Sequence, residues 1–201
     1  MQNKKRFSGR ISTKKIATLA ILSALGVALA MLVRFPLIPS APFLEYDAAD
    51  IPIFLGTFMY GPIAGLIMTV VVSVIQGVTV SAHSGYIGII MHIFATGSYV
   101  LVAGLIYKFK RTFKGALLSV SIASLVMIVV MVFWNIIFTP IFMGVDRDAV
   151  YAMLLPAIIP FNAIKAGINS IFTLILYKRV SKFFKWLTKE NETNGKLRNN
   201  K

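Results

Sequence analysis

A lysine stands inside an apolar run near the C-terminal end of the chain, in Ile159-Pro-Phe-Asn-Ala-Ile-Lys165, which continues to Asn169. An ammonium in such a place costs roughly 2.5–3.5 kcal/mol on insertion scales, and by default it marks a ligand or ion pathway. Asn162, Lys165 and Asn169 stand at i, i+3 and i+7, so a helix puts all three on one face. Asn135 follows Trp134 in another apolar run, a few residues before Pro140, at a depth similar to that of Asn162 and Lys165 if the last helix proper starts at Pro160. Amides and an ammonium at one depth suit the capture of a small, flat, polar solute rather than bond-making chemistry. Two bland roles compete: lysine reaching up to the membrane interface, and asparagines bridging helices. Bridging is the better reading for Asn169. For Asn135, Asn162 and Lys165 together, a shared cavity is the better one, because intramembrane polar groups face the bundle interior.

Other chemistries find no support. There are no cysteines, which removes disulfides, thiolate metal sites and cysteine nucleophiles. His83 and His92 stand alone, without HExxH spacing, and read as surface and packing residues rather than metal ligands. Ser84 lacks an orienting acid, and no GxxxxGK[ST] loop is present, so neither a hydrolase nor a P-loop ATPase is indicated. The chain thus reads as a non-enzyme with no metal and no cofactor. Phe43, Tyr46, Trp134 and Phe161 lie near the depth of the polar set and can stack on a flat heteroaromatic guest. An interfacial aromatic belt accounts for most of the remaining rings.

The elements that must position these groups are membrane helices. Of the 201 residues 57% are hydrophobic and only 14% charged, with mean hydropathy +0.79. A water-soluble fold cannot cover that much apolar surface with so few charges. The net charge of +14 does not imply a nucleic-acid partner, because eighteen of the 21 Lys and Arg flank apolar runs. They fall before residue 16, in 108–114 and after 177, the positive-inside distribution. Residues 16–33 are too long for a signal-peptide core and read as a retained helix. The runs predict an all-α membrane protein with six transmembrane helices over about 14–33, 50–60, 62–80, 86–107, 115–138 and 156–176. Residues 50–60 are short for a bilayer and need shelter from neighbours, with Asp50 as N-cap and Pro52 in the first turn. Basic segments on one side place both termini in the cytoplasm, with the acidic stretches 36–50 and 139–152 outside. Residues 1–188 form one domain, and the polar, Asn-rich tail 189–201 reads as disordered.

Small residues recur along the first helix at Ala17, Ala20, Ala24 and Ala28. Such a stripe lets another helix approach closely, either within the bundle or from a second membrane subunit.

Several segments together resemble a known family: Arg34-Phe-Pro-Leu-Ile-Pro39, Phe43-Leu-Glu-Tyr46, Asp50-Ile-Pro52, Tyr60-Gly-Pro-Ile-Ala-Gly65 and Pro160-Phe-Asn-Ala-Ile-Lys165. The chain is similar, over nearly its whole length, to the substrate-binding S-components of energy-coupling factor (ECF) transporters, and most to their riboflavin-specific branch. The resemblance implies six helices, one vitamin bound near the outer face under the first loop, and association with a coupling transmembrane subunit and two ATPase subunits. It also implies release by toppling in the membrane. It assigns Asn135, Asn162 and Lys165 to hydrogen bonds with the flavin or its ribityl chain, and Phe43, Leu44, Glu45 and Tyr46 to the loop side of the pocket. Ala20 and Ala24 match the stripe that docks the coupling subunit. The polar set alone also admits another vitamin, such as thiamine or folate. A secondary carrier would need inverted repeats and a charged midplane site, which the sequence does not clearly show.

Overall fold

The computed structural model describes residues 13–199, with side chains through 179. The basic residues before 13 and the last two residues of the tail lie outside the described residues. Helix α1 covers Thr13–Leu32, and it leads into a two-stranded antiparallel ribbon of β1 (Arg34–Pro36) and β2 (Glu45–Asp47). Its register pairs Arg34 with Asp47, Phe35 with Tyr46 and Pro36 with Glu45. The expected irregular loop 36–50 therefore contains a small piece of sheet within a mostly helical fold.

Helix α2 (Asp50–Tyr60) is buried at every position from Asp50 to Phe58. At about 1.5 Å per residue it cannot span a ~30 Å hydrocarbon core, so only its neighbours can cover its backbone and all-round apolar surface. Gly61 at φ 92° ends it, a conformation with no Cβ penalty for glycine, and Pro62 opens α3 (Pro62–Val78). A short turn at Ala82–Ser84 precedes α4 (Gly85–Phe109), which packs broadly on α3 and on α5 (Phe113–Met143). Thr112 caps α5 by accepting from the Gly115 N–H.

The end of α5 departs from expectation. It runs through Pro140 to Met143, because a single proline removes one N–H without forbidding the helix in an apolar setting, and Gly144 at φ 66° then caps it. The expected loop 139–152 shrinks accordingly, and most of its remainder is α6 (Arg147–Met153). A wider π-type turn over Leu154–Ile158 joins α6 to α7 (Ile159–Asn199). Pro156 and Pro160 each lack an N–H and crowd the carbonyl of the preceding turn, which a wider coil relieves. Helix α7 continues through 189–199, beyond the point where composition suggested disorder.

Among the described residues, four helical stretches are long and apolar enough to cross a membrane: Thr13–Leu32, Ala82–Phe109, Phe113–Met143 and Arg147–Arg179. Between them lies a core in which Phe54 stacks on Tyr99 at 3.8 Å, and the Tyr99 hydroxyl meets Ser170 Oγ at 2.7 Å. The two ends of the bundle differ. Lys15 lies over the Tyr60 ring and Lys178 over the Phe113 ring, at the end where the 110–112 connection sits. The ribbon, the Ala82–Ser84 turn and the end of α5 gather at the other end, where Phe43 meets Phe142 with ring centroids 6.5 Å apart.

Candidate functional site

Beneath the ribbon lies a cavity of about 190 Å³, walled by β2, α3, α4, α5 and α7. Asn135, Asn162 and Lys165 all line it, together with Phe43, Leu44 and Glu45 from the loop. Two separate helices thus bring the polar groups to one depth. Asn135 donates to Met131 O at 2.7 Å and accepts from Thr139 Oγ1 at 2.8 Å, while Asn162 Nδ2 donates to Ile158 O at 2.8 Å. These bonds to each residue's own helix hold the amides in one rotamer. Phe142 and Phe161 add aromatic walls, and Met127, Met131 and Ala95 an apolar side.

Two aromatic assignments need correction. Tyr46 does not line the cavity, and the reason is strand alternation: Glu45 and Asp47 face the cavity, so Tyr46 faces the opposite side of β2. It packs on Phe35 and its hydroxyl donates to Asn169 Oδ1 at 2.8 Å; burial pushes that hydroxyl above its ordinary pKa. Trp134 also points elsewhere, stacked between Phe94 and Phe138. Asn169 bridges helices as expected, since its Nδ2 donates to Asp50 Oδ2 at 3.1 Å.

Lys165 is not a lone cation. Its Nζ donates to Asp47 Oδ2 at 2.8 Å and lies 3.8 Å from Asp50 Oδ2. Asp50 is only 1% exposed, and its side chain does not cap α2. Instead it turns into the bundle, where Thr96 Oγ1 donates to Oδ1 at 2.6 Å and His92 Nε2 stands 3.2 Å away. The sequence reading gives no site role to Asp47 or Gln76, and it takes Asp50 as an N-cap and His92 as a packing residue. The rule that flagged Lys165, an ionisable or strongly polar group within an apolar run, applies equally to His92 and Gln76. Gln76 is 5% exposed and lines the cavity from α3.

The rim is a second polar cluster. Arg34 Nε donates to Glu45 Oε2 at 2.9 Å, with a second contact from its Nη2 to the same oxygen. Its Nη1 reaches Val80 O and Ser81 Oγ, the latter at 3.0 Å, and His83 Nε2 lies 3.6 Å from Glu45. Arg34 thereby ties the ribbon to the connection between α3 and α4.

The alanine stripe of α1 faces outward. Ala17, Ala20, Ala24 and Ala28 are exposed, whereas Ser23, Gly26 and Ala30 form the buried face. A Cβ on Gly26 would meet Ala49 O at 3.1 Å, so that glycine, not the stripe, sets the close approach of α1 to the bundle. Packing within the described chain is therefore not what the stripe serves.

Comparison with known proteins places the chain in a family. A family model described as "ECF transporter, substrate-specific component" covers residues 14–177. The riboflavin transporter RibU of Staphylococcus aureus (strain TCH60) is 31% identical over 178 residues, covering 86% of this chain and 93% of that protein. The riboflavin transporter FmnP of Bacillus subtilis (strain 168) is 25% identical over 177 residues, covering 84% and 93%. A solved S component of a bacterial ECF transporter superposes with TM-score 0.75 at 32% identity, covering 86% of this chain and 98% of its own. A solved S-component for biotin shares the fold, with TM-score 0.58 at 16% identity over 84% and 95%. With the family model spanning most of the chain and the fold shared with solved members, this chain belongs to the substrate-specific components of ECF transporters.

Proposed function

We propose that this chain is the riboflavin-binding S-component of an ECF importer in a bacterial cell membrane, without catalytic activity of its own. The observation that carries the substrate is the 31% identity to a riboflavin transporter over 86% of the chain. The cavity's chemistry supports it. Riboflavin has a flat ring system edged with carbonyl and ring-nitrogen acceptors, and a ribityl chain of hydroxyls. Phe43, Phe142 and Phe161 offer aromatic surface to the ring, while Asn135, Asn162 and Lys165 offer donors to its polar edge. Leu44 closes the loop side, and Glu45 and Gln76 accept from ribityl hydroxyls. Tyr46 acts from behind, by holding Asn169.

The membrane arrangement is six spans, with α2 sheltered inside and both termini in the cytoplasm. Basic residues at 15, 108–114 and 178–179 support that orientation, which puts the ribbon and cavity at the outer face. Residues 1–188 then form one substrate-binding domain. The chain works with a coupling membrane subunit and two ATPases. The outward stripe at Ala20 and Ala24 is the coupling surface, because small residues permit close helix approach.

Purification from cells supplied with riboflavin tests the substrate: the protein should be yellow, with a flavin spectrum, and the stripped protein should quench riboflavin fluorescence stoichiometrically. A colourless preparation whose stripped form leaves riboflavin fluorescence unchanged would overturn the reading. Ala20→Trp should leave this binding intact and abolish uptake in cells carrying the coupling module. Normal uptake in that variant would remove the docking assignment.

A further inference from the structure

The end of the bundle away from the ligand cavity carries a feature that capture of a vitamin does not use. Between the start of α5 and α7 lies an open groove of about 660 Å³, lined by Phe113, Leu174, Ile175, Lys178 and Arg179. Its back is apolar: Leu174 packs against the bundle core, and Ile175 beside it stays exposed. Lys178 and Arg179 stand one helical turn further along α7, at the edge of the groove. The Lys178 ammonium lies 4.3 Å from the centroid of the Phe113 ring, which holds it across the gap between the two helices.

Charge at this end is one-sided. Lys108, Lys110, Arg111 and Lys114 cluster around the α4–α5 connection, next to Phe113. Among the described side chains, every acid (Glu45, Asp47, Asp50, Asp146 and Asp148) belongs to the ribbon end. Membrane topology alone calls for positive charge at this leaflet, but it calls for no groove. An apolar back below a cationic edge, at the depth of the head groups, fits a phospholipid. Its acyl chain covers Leu174 and Ile175, and its phosphate meets Lys178 and Arg179. A free phosphate would leave the apolar back uncovered. A second membrane subunit fits less well, because α1 with its alanine stripe packs on α2 and α3, whereas the groove lies between α5 and α7.

We infer that the groove between α5 and α7 is a binding site for one anionic phospholipid of the cytoplasmic leaflet. The inference rests on the membrane orientation given above and not on which vitamin fills the cavity at the other end. An anionic head group gains about fivefold in affinity for each Lys or Arg at the surface, so two edge cations give roughly 25-fold over a zwitterionic one.

The test is lipid retention by the full chain purified in mild detergent, read by native mass spectrometry. Phosphatidylglycerol and phosphatidylcholine with identical acyl chains are the probes. One phosphatidylglycerol per chain should be retained, with the roughly 25-fold preference expected above. Lys178→Gln combined with Arg179→Gln should remove that preference. Lys108→Gln combined with Lys110→Gln, an equal loss of charge at the same end but outside the groove, should keep it. Ile175→Trp fills the groove without changing charge and should weaken retention. Riboflavin quenching should match the wild type in all three variants, which checks that they fold. Equal retention of both lipids by the wild type overturns the inference and needs no variant. Equal losses in the two charge pairs overturn it as well, for the attraction would then be diffuse. Displacement of the lipid by glycerol phosphate, with no effect of Ile175→Trp, would make the groove a free-phosphate site and overturn it too. A wild type that retains phosphatidylglycerol but never quenches riboflavin would strike the riboflavin reading and leave this one standing.

Discussion

The cavity has a charged floor and a charged rim, and the two are built differently. At the floor, the Lys165 side chain is 9% exposed and that of Asp50 1%. At the rim, Glu45 is 29% exposed and His83 57%. Both are chains of acid and base with similar contacts, yet burial changes what those contacts are worth. A buried pair gains little over an apolar substitute, but losing one partner strands the other in a medium that cannot solvate it. A part-exposed pair loses a contact that water and salt already weaken. The floor therefore fixes geometry at high cost of error, and the rim closes the site at low cost. That division suits a binder that must be specific inside and still admit and release its guest.

The sharpest way to break the contrast is Asp50→Ala. It leaves Lys165 and His92 facing each other across a void with only Asp47 as counter-charge. A loss of about 3–5 kcal/mol of stability is expected, seen as a large fall in the thermal unfolding midpoint in detergent. An unchanged midpoint would mean that the floor is no more demanding than the rim. Lys165→Ala comes next, for it removes the proposed ligand donor and strands two carboxylates at once. Riboflavin affinity should fall roughly 10- to 150-fold, the worth of a charge-assisted hydrogen bond. The midpoint should fall as well, and adding Asp47→Asn should recover part of the midpoint but none of the affinity. Recovery of both would make Lys165 a purely structural cation.

Asn162→Ala sharpens the comparison from a neutral position. Its amide bonds only to Ile158 O on its own helix, so no buried charge is released. Affinity should weaken about tenfold with little change in midpoint, since one neutral hydrogen bond is worth about 1 kcal/mol. Equilibrium dialysis against riboflavin measures it, and wild-type affinity would take Asn162 out of the pocket.

These outcomes differ from what Lys165 alone suggests. From the sequence, Lys165→Ala threatens binding and spares the fold, because a lone lysine in an apolar run has no visible partner. Its partners are 118 and 115 residues away, on β2 and at the start of α2. Helix existence was readable because length and hydropathy are local properties, and the α2 boundaries follow from Asp50 and Gly61-Pro62. The three-residue strands were not readable, because pairing that short carries no periodicity. With them went the alternation that turns Tyr46 away from the cavity. Asp50 misled for another reason: an acid at a helix start fits capping and ion pairing equally, and only the fold of α4 and α7 around it decides. Pro140 misled because apolar surroundings tolerate a proline that water would turn into a helix end.

The smallest expected effect is at the rim. Arg34→Gln removes the guanidinium that joins Glu45 to Val80 and Ser81, across the gap between the ribbon and the α3–α4 connection. Because this cluster is part-exposed, the stability change should stay within about 0–1 kcal/mol, and the wild-type contribution should shrink as salt rises. The consequence belongs in kinetics instead. A ribbon no longer tied at that point opens more often, so riboflavin should both enter and leave faster, with a nearly constant ratio of the two rates. Stopped-flow quenching at low and high salt reads this directly. If Arg34→Gln sped neither entry nor release but cost as much stability as Asp50→Ala, rim and floor would be one rigid structure, and the cavity would have no separate door.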